Sequence, residues 1–208
     1  MTTLAISRRN QALKELYCHN WTALCGIASR YQNLSKPYLA WIHPDYEQAD
    51  IRLVVVGKET NGWGGEDQIV GLTPEDAVAV MMKRYQEFQL GVDYSGKAAF
   101  WTPVHELYRR LNPHGSTFGF VALNASKMDQ DQKTPNADVR EAMVSTELFR
   151  EELRILEPHV VVFFTGPNYE SWLDGCFPDL KRTGDKWLSR LDAMGFRSTA
   201  SAHITRNT

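Results

Sequence analysis

The run Ile51-Arg52-Leu53-Val54-Val55-Val56, broken by Gly57, constrains the fold more than any other stretch of the chain. It is β-branched and almost continuously apolar, too short for an ordinary helix and too apolar for a strand with one wet face. It therefore predicts a central strand of a parallel sheet, covered on both sides. The run Val160-Val161-Val162-Phe163-Phe164 repeats the pattern. Residues 118–124 predict a further strand, ending in the carboxamide of Asn124, and residues 196–202 offer a weaker fourth that stops at His203.

Helical patterns fill the intervals. Residues 8–31 place Leu13, Leu16, Tyr17, Leu24 and Ile27 at helical spacing behind Ser7, a suitable N-cap, so one or two amphipathic helices form an N-terminal extension over about residues 1–45. Thr73-Pro74-Glu75-Asp76 opens a helix running to about Leu90: a capping hydroxyl, proline at the first helical position, then acids at the positive end of the dipole. Residues 100–111 and 137–156 predict two more helices, the second stopped by Pro158. Gly166-Pro167-Asn168-Tyr169 turns into a short one. Strands alternating with helices require right-handed crossovers, so the expected fold is one α/β domain over residues 1–208: a three-layer α/β/α sandwich around a mostly parallel four-stranded sheet. At 208 residues and 43% hydrophobic, the chain can bury one such core.

Composition removes several function classes. Cys18, Cys25 and Cys176 are an odd number without a C-x-x-C pair, which argues against a disulfide framework or a zinc knuckle and fits a reduced cytosol. Without an apolar span or a signal-peptide core, a cytoplasmic chain with no membrane partner is expected. His19, His43, His105, His114 and His159 share no ligand spacing, so no metal site is expected. Ser116, Ser126 and Ser201 sit in no nucleophile elbow. The net charge of −2 argues against a nonspecific nucleic-acid coat. Lys181, Arg182, Lys186, Arg190, Arg197 and Arg206 nevertheless outnumber Asp185 and Asp192 in the last part of the chain, and form either a solvated basic face or a surface for phosphates.

The first strand breaks into Gly57-Lys58-Glu59-Thr60-Asn61-Gly62-Trp63-Gly64-Gly65. The glycines permit tight turns and close backbone approach to a ligand. Glu59, Asn61 and Trp63 bring an acceptor, a donor-acceptor amide and a stacking surface. The loop lacks both the Gly-Lys-Ser/Thr phosphate signature and the dinucleotide fingerprint. In open α/β sheets ligands bind beyond the carboxyl ends of the strands, and Glu59, Asn61, Asn124, Thr165, Asn168 and His203 all follow strand ends on that edge. Each has a plainer alternative: Asn124 as a helix cap, His203 as an exposed terminus, Trp63 and Phe100 as core.

The strand-Gly57-x-Glu59 loop, the second strand ending in Asn124, the third running into Gly166 and the last ending in His203 resemble the uracil-DNA glycosylase superfamily over roughly residues 50–203. The resemblance implies that Glu59 positions or deprotonates water or stabilises a sugar cation, and that Asn124 hydrogen-bonds an imide-like base edge. Trp63 or Phe100 would stack on an extruded base, beside Asn61, and His203 would donate to the base oxygen that gains charge as the base departs. Gly62, Gly64, Thr165, Asn168, Lys181, Arg182 and Arg206 are the expected phosphate or DNA contacts. The implied partner is single- or double-stranded DNA carrying uracil or a modified base, handled by a monomer without metal or organic cofactor. Two departures, at residues 59 and 61, keep the substrate open. Glutamate replaces the usual aspartate and moves the carboxylate by about a bond length. Asn61 stands where the uracil-specific branch has a thymine-excluding tyrosine. His203-Ile-Thr lacks the proline and serine of the last motif, and three cysteines are too few for the iron-sulfur branch. A catalytically weak relative that binds nucleic acid, a nucleobase or a protein partner is the alternative.

Overall fold

The computed structural model describes residues 7–65, 68–90, 100–184, 189–192 and 200–203. Strand β1 (Leu53–Gly57) lies between β2 (Phe120–Asn124) and β3 (Val160–Phe163) and runs parallel to both. The register sets Gly57 opposite Asn124 and Val56 opposite Phe163. Strand β6 (Ala200–His203) extends the parallel set, with His203 opposite Phe163. An antiparallel hairpin of β4 (Lys181–Gly184) and β5 (Ser189–Asp192) then completes a six-stranded sheet of order β2-β1-β3-β6-β5-β4. Four strands were expected, and the hairpin is the addition. Its sequences, Lys-Arg-Thr-Gly at the sheet edge and Ser-Arg-Leu-Asp beside it, are polar and lack the apolar run that betrays a strand covered on both faces.

Alternation along the strands divides the core. Val54, Val56, Val121, Leu123, Val161 and Phe163 pack in the larger apolar cluster with α1 (Arg8–Arg30), α3 (Pro74–Leu90), α5 (Ala137–Ser145), α6 (Leu148–Leu156) and α7 (Glu170–Cys176). Leu53, Val55, Phe120, Ala122 and Val162 pack with Val104 and Tyr108 of α4 (Trp101–Leu111). Helices therefore cover both faces of a mixed α/β sheet, as side chains of period two demand. The first helix is one continuous element capped by the Ser7 hydroxyl, which accepts from the Asn10 amide at 3.2 Å. It is no appendage: Leu13 and Tyr17 are fully buried in the same cluster as Val54. The helix expected over residues 137–156 is split between Ser145 and Leu148, where Glu147 adopts a left-handed φ of 53°. A short α2 (Pro44–Gln48), which periodicity does not reveal, precedes β1.

Among the described residues, an ion pair crosses the larger core. Lys127 Nζ lies 2.6 Å from Glu152 Oε2, with side chains 3% and 0% exposed, and the Tyr17 hydroxyl donates to Glu152 Oε1 at 2.8 Å. Burial pushes the Glu152 carboxyl up, and Lys127 and Tyr17 pull it back. The pair ties α1 and α6 to the segment just after β2, beside the cleft described next. Among the described residues no helix is long and apolar enough to cross a membrane.

Candidate functional site

Beyond the carboxyl ends of β1 and β2 opens a cleft of about 750 Å³. Residues 57–64 line it, together with Phe100, Trp101, Asn124, Phe164, Arg84, Phe88 and Gln132. The reason for glycine at the end of β1 is steric. A Cβ on Gly57 would stand 2.6 Å from Asn124 Oδ1 and 3.6 Å from the Phe100 ring, so the bare backbone is what lets the carboxamide and the ring close over the strand end. Asn124 is half-buried, and among the described residues its carboxamide makes no hydrogen bond. Among these residues nothing occupies its donor or its acceptor.

Asp129, which no sequence pattern singles out, builds the loop. It is buried; its Oδ2 accepts from the Thr60 hydroxyl at 2.6 Å and the Gly62 amide at 2.8 Å, and its Oδ1 accepts from the Gln132 amide at 2.9 Å. Burial alone would raise its pKa, but the donors of Thr60, Gly62, Ser35 and Gln132 outweigh that and hold the carboxyl below the usual range. Lys36 ties the far end of the glycine loop, donating to the carbonyls of Gly64 and, at 3.0 Å, Gly65. Gly62, at φ 74°, needs its missing side chain. Asp131 and Gln132 are consecutive left-handed residues, at φ 53° and 61°, a costly pairing for L side chains that the Asp129 contact helps to hold. That turn brings Gln132 to the cleft.

Glu59 lines the cleft with both carboxylate oxygens engaged. The Tyr169 hydroxyl donates to Oε2, and the Thr134 hydroxyl donates to Oε1 at 3.1 Å. Burial, reinforced by the Glu59 hydrogen bond and charge, pushes the Tyr169 phenol far above its ordinary range, with the Arg140 guanidinium 5.5 Å from the ring centre pulling the other way. Neither Tyr169 nor Thr134 was singled out from sequence. The one available signal was that the Gly166-Pro167-Asn168-Tyr169 turn follows a central strand on the ligand edge.

The two aromatic candidates separate. Trp63 is 9% exposed and packs roughly perpendicular to Tyr38 at 4.8 Å and Phe88 at 5.4 Å, with Arg84 6.0 Å from its ring centre, so it is mostly a core residue that also contributes to the cleft wall. Phe100 is half-buried against Trp101 and Phe164 and lies over Gly57, facing the cleft. Asn61, Gly62 and Gly64 line the cleft with Glu59, Asn124 and Phe100.

The remaining candidates are not gathered there. Thr165 is only 3% exposed, which leaves it no surface for a phosphate. Asn168 is exposed, outside the lining, and its carbonyl accepts from Arg140 at 3.1 Å. Lys181 and Arg182 belong to β4, four strand spacings from β1, which is roughly 19 Å at about 4.8 Å each. The backbone of His203 ends β6 at the same edge as the cleft, level with Phe163. Arg206 lies outside the described residues. The cations that do line the cleft, Lys58 and Arg84, went unnoticed because they are isolated in sequence.

A carboxylate, a carboxamide and an aromatic ring thus surround one open space. Such a set can hold a flat heterocycle by its face and edge and place an acceptor beside it. No family model matches the chain, and no curated protein and no solved structure matches it either.

Proposed function

We propose that the chain is a DNA glycosylase of the uracil-DNA glycosylase type, a three-layer α/β/α sandwich that hydrolyses the N-glycosidic bond of uracil or another modified base in DNA. The convergence of Glu59, Asn124 and Phe100 on one cleft beyond the strand ends carries this reading. A base flipped from the stack enters the cleft, which is of ordinary ligand-site size. Phe100 covers one face of the ring, and Asn124 pairs with its edge. As the bond between C1′ and the base nitrogen breaks, the base leaves with the electron pair, and His203 donates to the base oxygen that gains charge. Water adds to C1′ and gives its proton to Glu59. Lys58 and Arg84 offer charge to the flanking phosphates, and the hairpin cations Lys181 and Arg182 to more distant ones. The partner is DNA, no cofactor is called for, and the protein acts as a cytoplasmic monomer.

One observation favours a second reading, a relative that binds DNA or a nucleobase without turnover: both Glu59 oxygens already accept hydrogen bonds from the protein. Purified protein and Glu59→Gln, tested on oligonucleotides carrying uracil or modified bases, separate the two. A glycosylase loses roughly 100-fold or more of its turnover in the variant while still binding substrate. A binder has no turnover to lose. Wild-type protein that neither cleaves nor binds the panel refutes both.

A further inference from the structure

The hydroxyls on Glu59 come from separate parts of the chain, Tyr169 from the turn after β3 and Thr134 from the segment after β2. A free glutamate side chain samples many rotamers; one held at both oxygens samples few. Each carboxylate oxygen keeps a second lone pair, so acceptor capacity remains toward the cleft that Glu59 lines. Tyr169 is itself fixed. It is 1% exposed, its ring meets Trp172 edge-on at 6.2 Å, and Arg140 lies 5.5 Å from its centre. Burial and the neighbouring Glu59 keep the phenol protonated, so it stays a donor wherever the fold persists.

Resting on the glycosylase reading, we propose that Tyr169 is a positioning residue that locks the Glu59 carboxylate in the rotamer from which it receives the proton of the attacking water, with Thr134 as the second arm of the clamp. Tyr169 neither gains nor loses a proton in the step; the water proton ends on Glu59. A residue acting this way sets turnover and leaves substrate affinity to Asn124 and Phe100.

The test compares wild type, Tyr169→Phe and Thr134→Val. Tyr169→Phe removes one hydroxyl and keeps the packed ring. Two readouts are taken: kcat and KM on a uracil-containing oligonucleotide, and the Glu59 side-chain carboxyl resonance in protein labelled with carbon-13 glutamate, assigned with Glu59→Gln. The expected result for Tyr169→Phe is a kcat lower by roughly 10- to 100-fold, the scale of an ångström-sized misplacement, with KM within about twofold and a displaced Glu59 resonance. Thr134→Val, on an exposed segment, gives a smaller change of the same kind and serves alone if Tyr169→Phe does not fold. An unmoved resonance overturns the inference, as does an active wild type whose kcat survives Tyr169→Phe. If wild-type protein cleaves nothing, the functional reading fails separately, and the resonance still decides whether Tyr169 holds Glu59.

Discussion

Asp129→Asn keeps the volume of a buried side chain and removes its charge, and its cost follows from the contacts it breaks. Among the donors around the carboxylate, three short ones set the cost: the Thr60 hydroxyl at 2.6 Å, the Gly62 amide at 2.8 Å and the Gln132 amide at 2.9 Å. Asparagine has one oxygen, best spent where two donors converge, so its NH₂ group faces the Gln132 N–H. One hydrogen bond to a charged acceptor is lost, worth about 1.5–3 kcal/mol, and two become bonds to a neutral acceptor. Rehydration of the exposed Gln132 returns part of this, and the expected loss is roughly 2–4 kcal/mol at pH 7. The sign with pH is fixed. The folded carboxyl is held below its ordinary value, so the stability it contributes is present above pH ~4 and disappears as pH falls through the folded pKa. The gap between wild type and Asp129→Asn should therefore be widest near neutrality and close in acid. Urea unfolding followed by tryptophan fluorescence from pH 7 downward measures it, and amide exchange should quicken at Gly62 and Gln132. A gap under about 0.5 kcal/mol at pH 7, or one that widens in acid, refutes the assignment of Asp129 as the anchor of the loop.

Gly57→Ala would drive a methyl group to 2.6 Å from Asn124 Oδ1 and displace the carboxamide. Uracil affinity should fall by roughly tenfold or more, while unfolding free energy drops by about 1–3 kcal/mol, and unchanged affinity in a titration would sink the steric argument. Lys127→Met strands the Glu152 carboxylate in the core at a cost of roughly 3–5 kcal/mol, and adding Glu152→Leu should return part of it because the orphaned charge is gone. Denaturation that shows the two losses simply adding would mean that the pair is not coupled.

The parts of this molecule that were legible in sequence are those whose signal is local. The apolar run of β1, the Ser7 and Thr73 caps, and the carboxamide at the end of β2 each announce themselves within a few residues, and three of the cleft's polar groups, Glu59, Asn61 and Asn124, follow from strand ends alone. What was missed is either unpatterned or distant. The β4–β5 hairpin is polar, and the break at Glu147 carries no glycine or proline. The stripe on α1 says that one face is buried but not against what, so periodicity alone does not reveal that Leu13 and Tyr17 share a cluster with Val54. Asp129, Thr134 and Tyr169 act on loop partners 69, 75 and 110 residues away, and no spacing rule links residues so far apart.

The most direct measurement is a crystal structure of Glu59→Gln with a uracil-containing oligonucleotide, in which slowed turnover preserves the bound substrate. The extruded ring should lie against Phe100 with its edge on the Asn124 carboxamide and the sugar carbon facing residue 59. A base seated elsewhere, or DNA bound with this cleft unfilled, would contradict the assignment of the cleft as the base pocket.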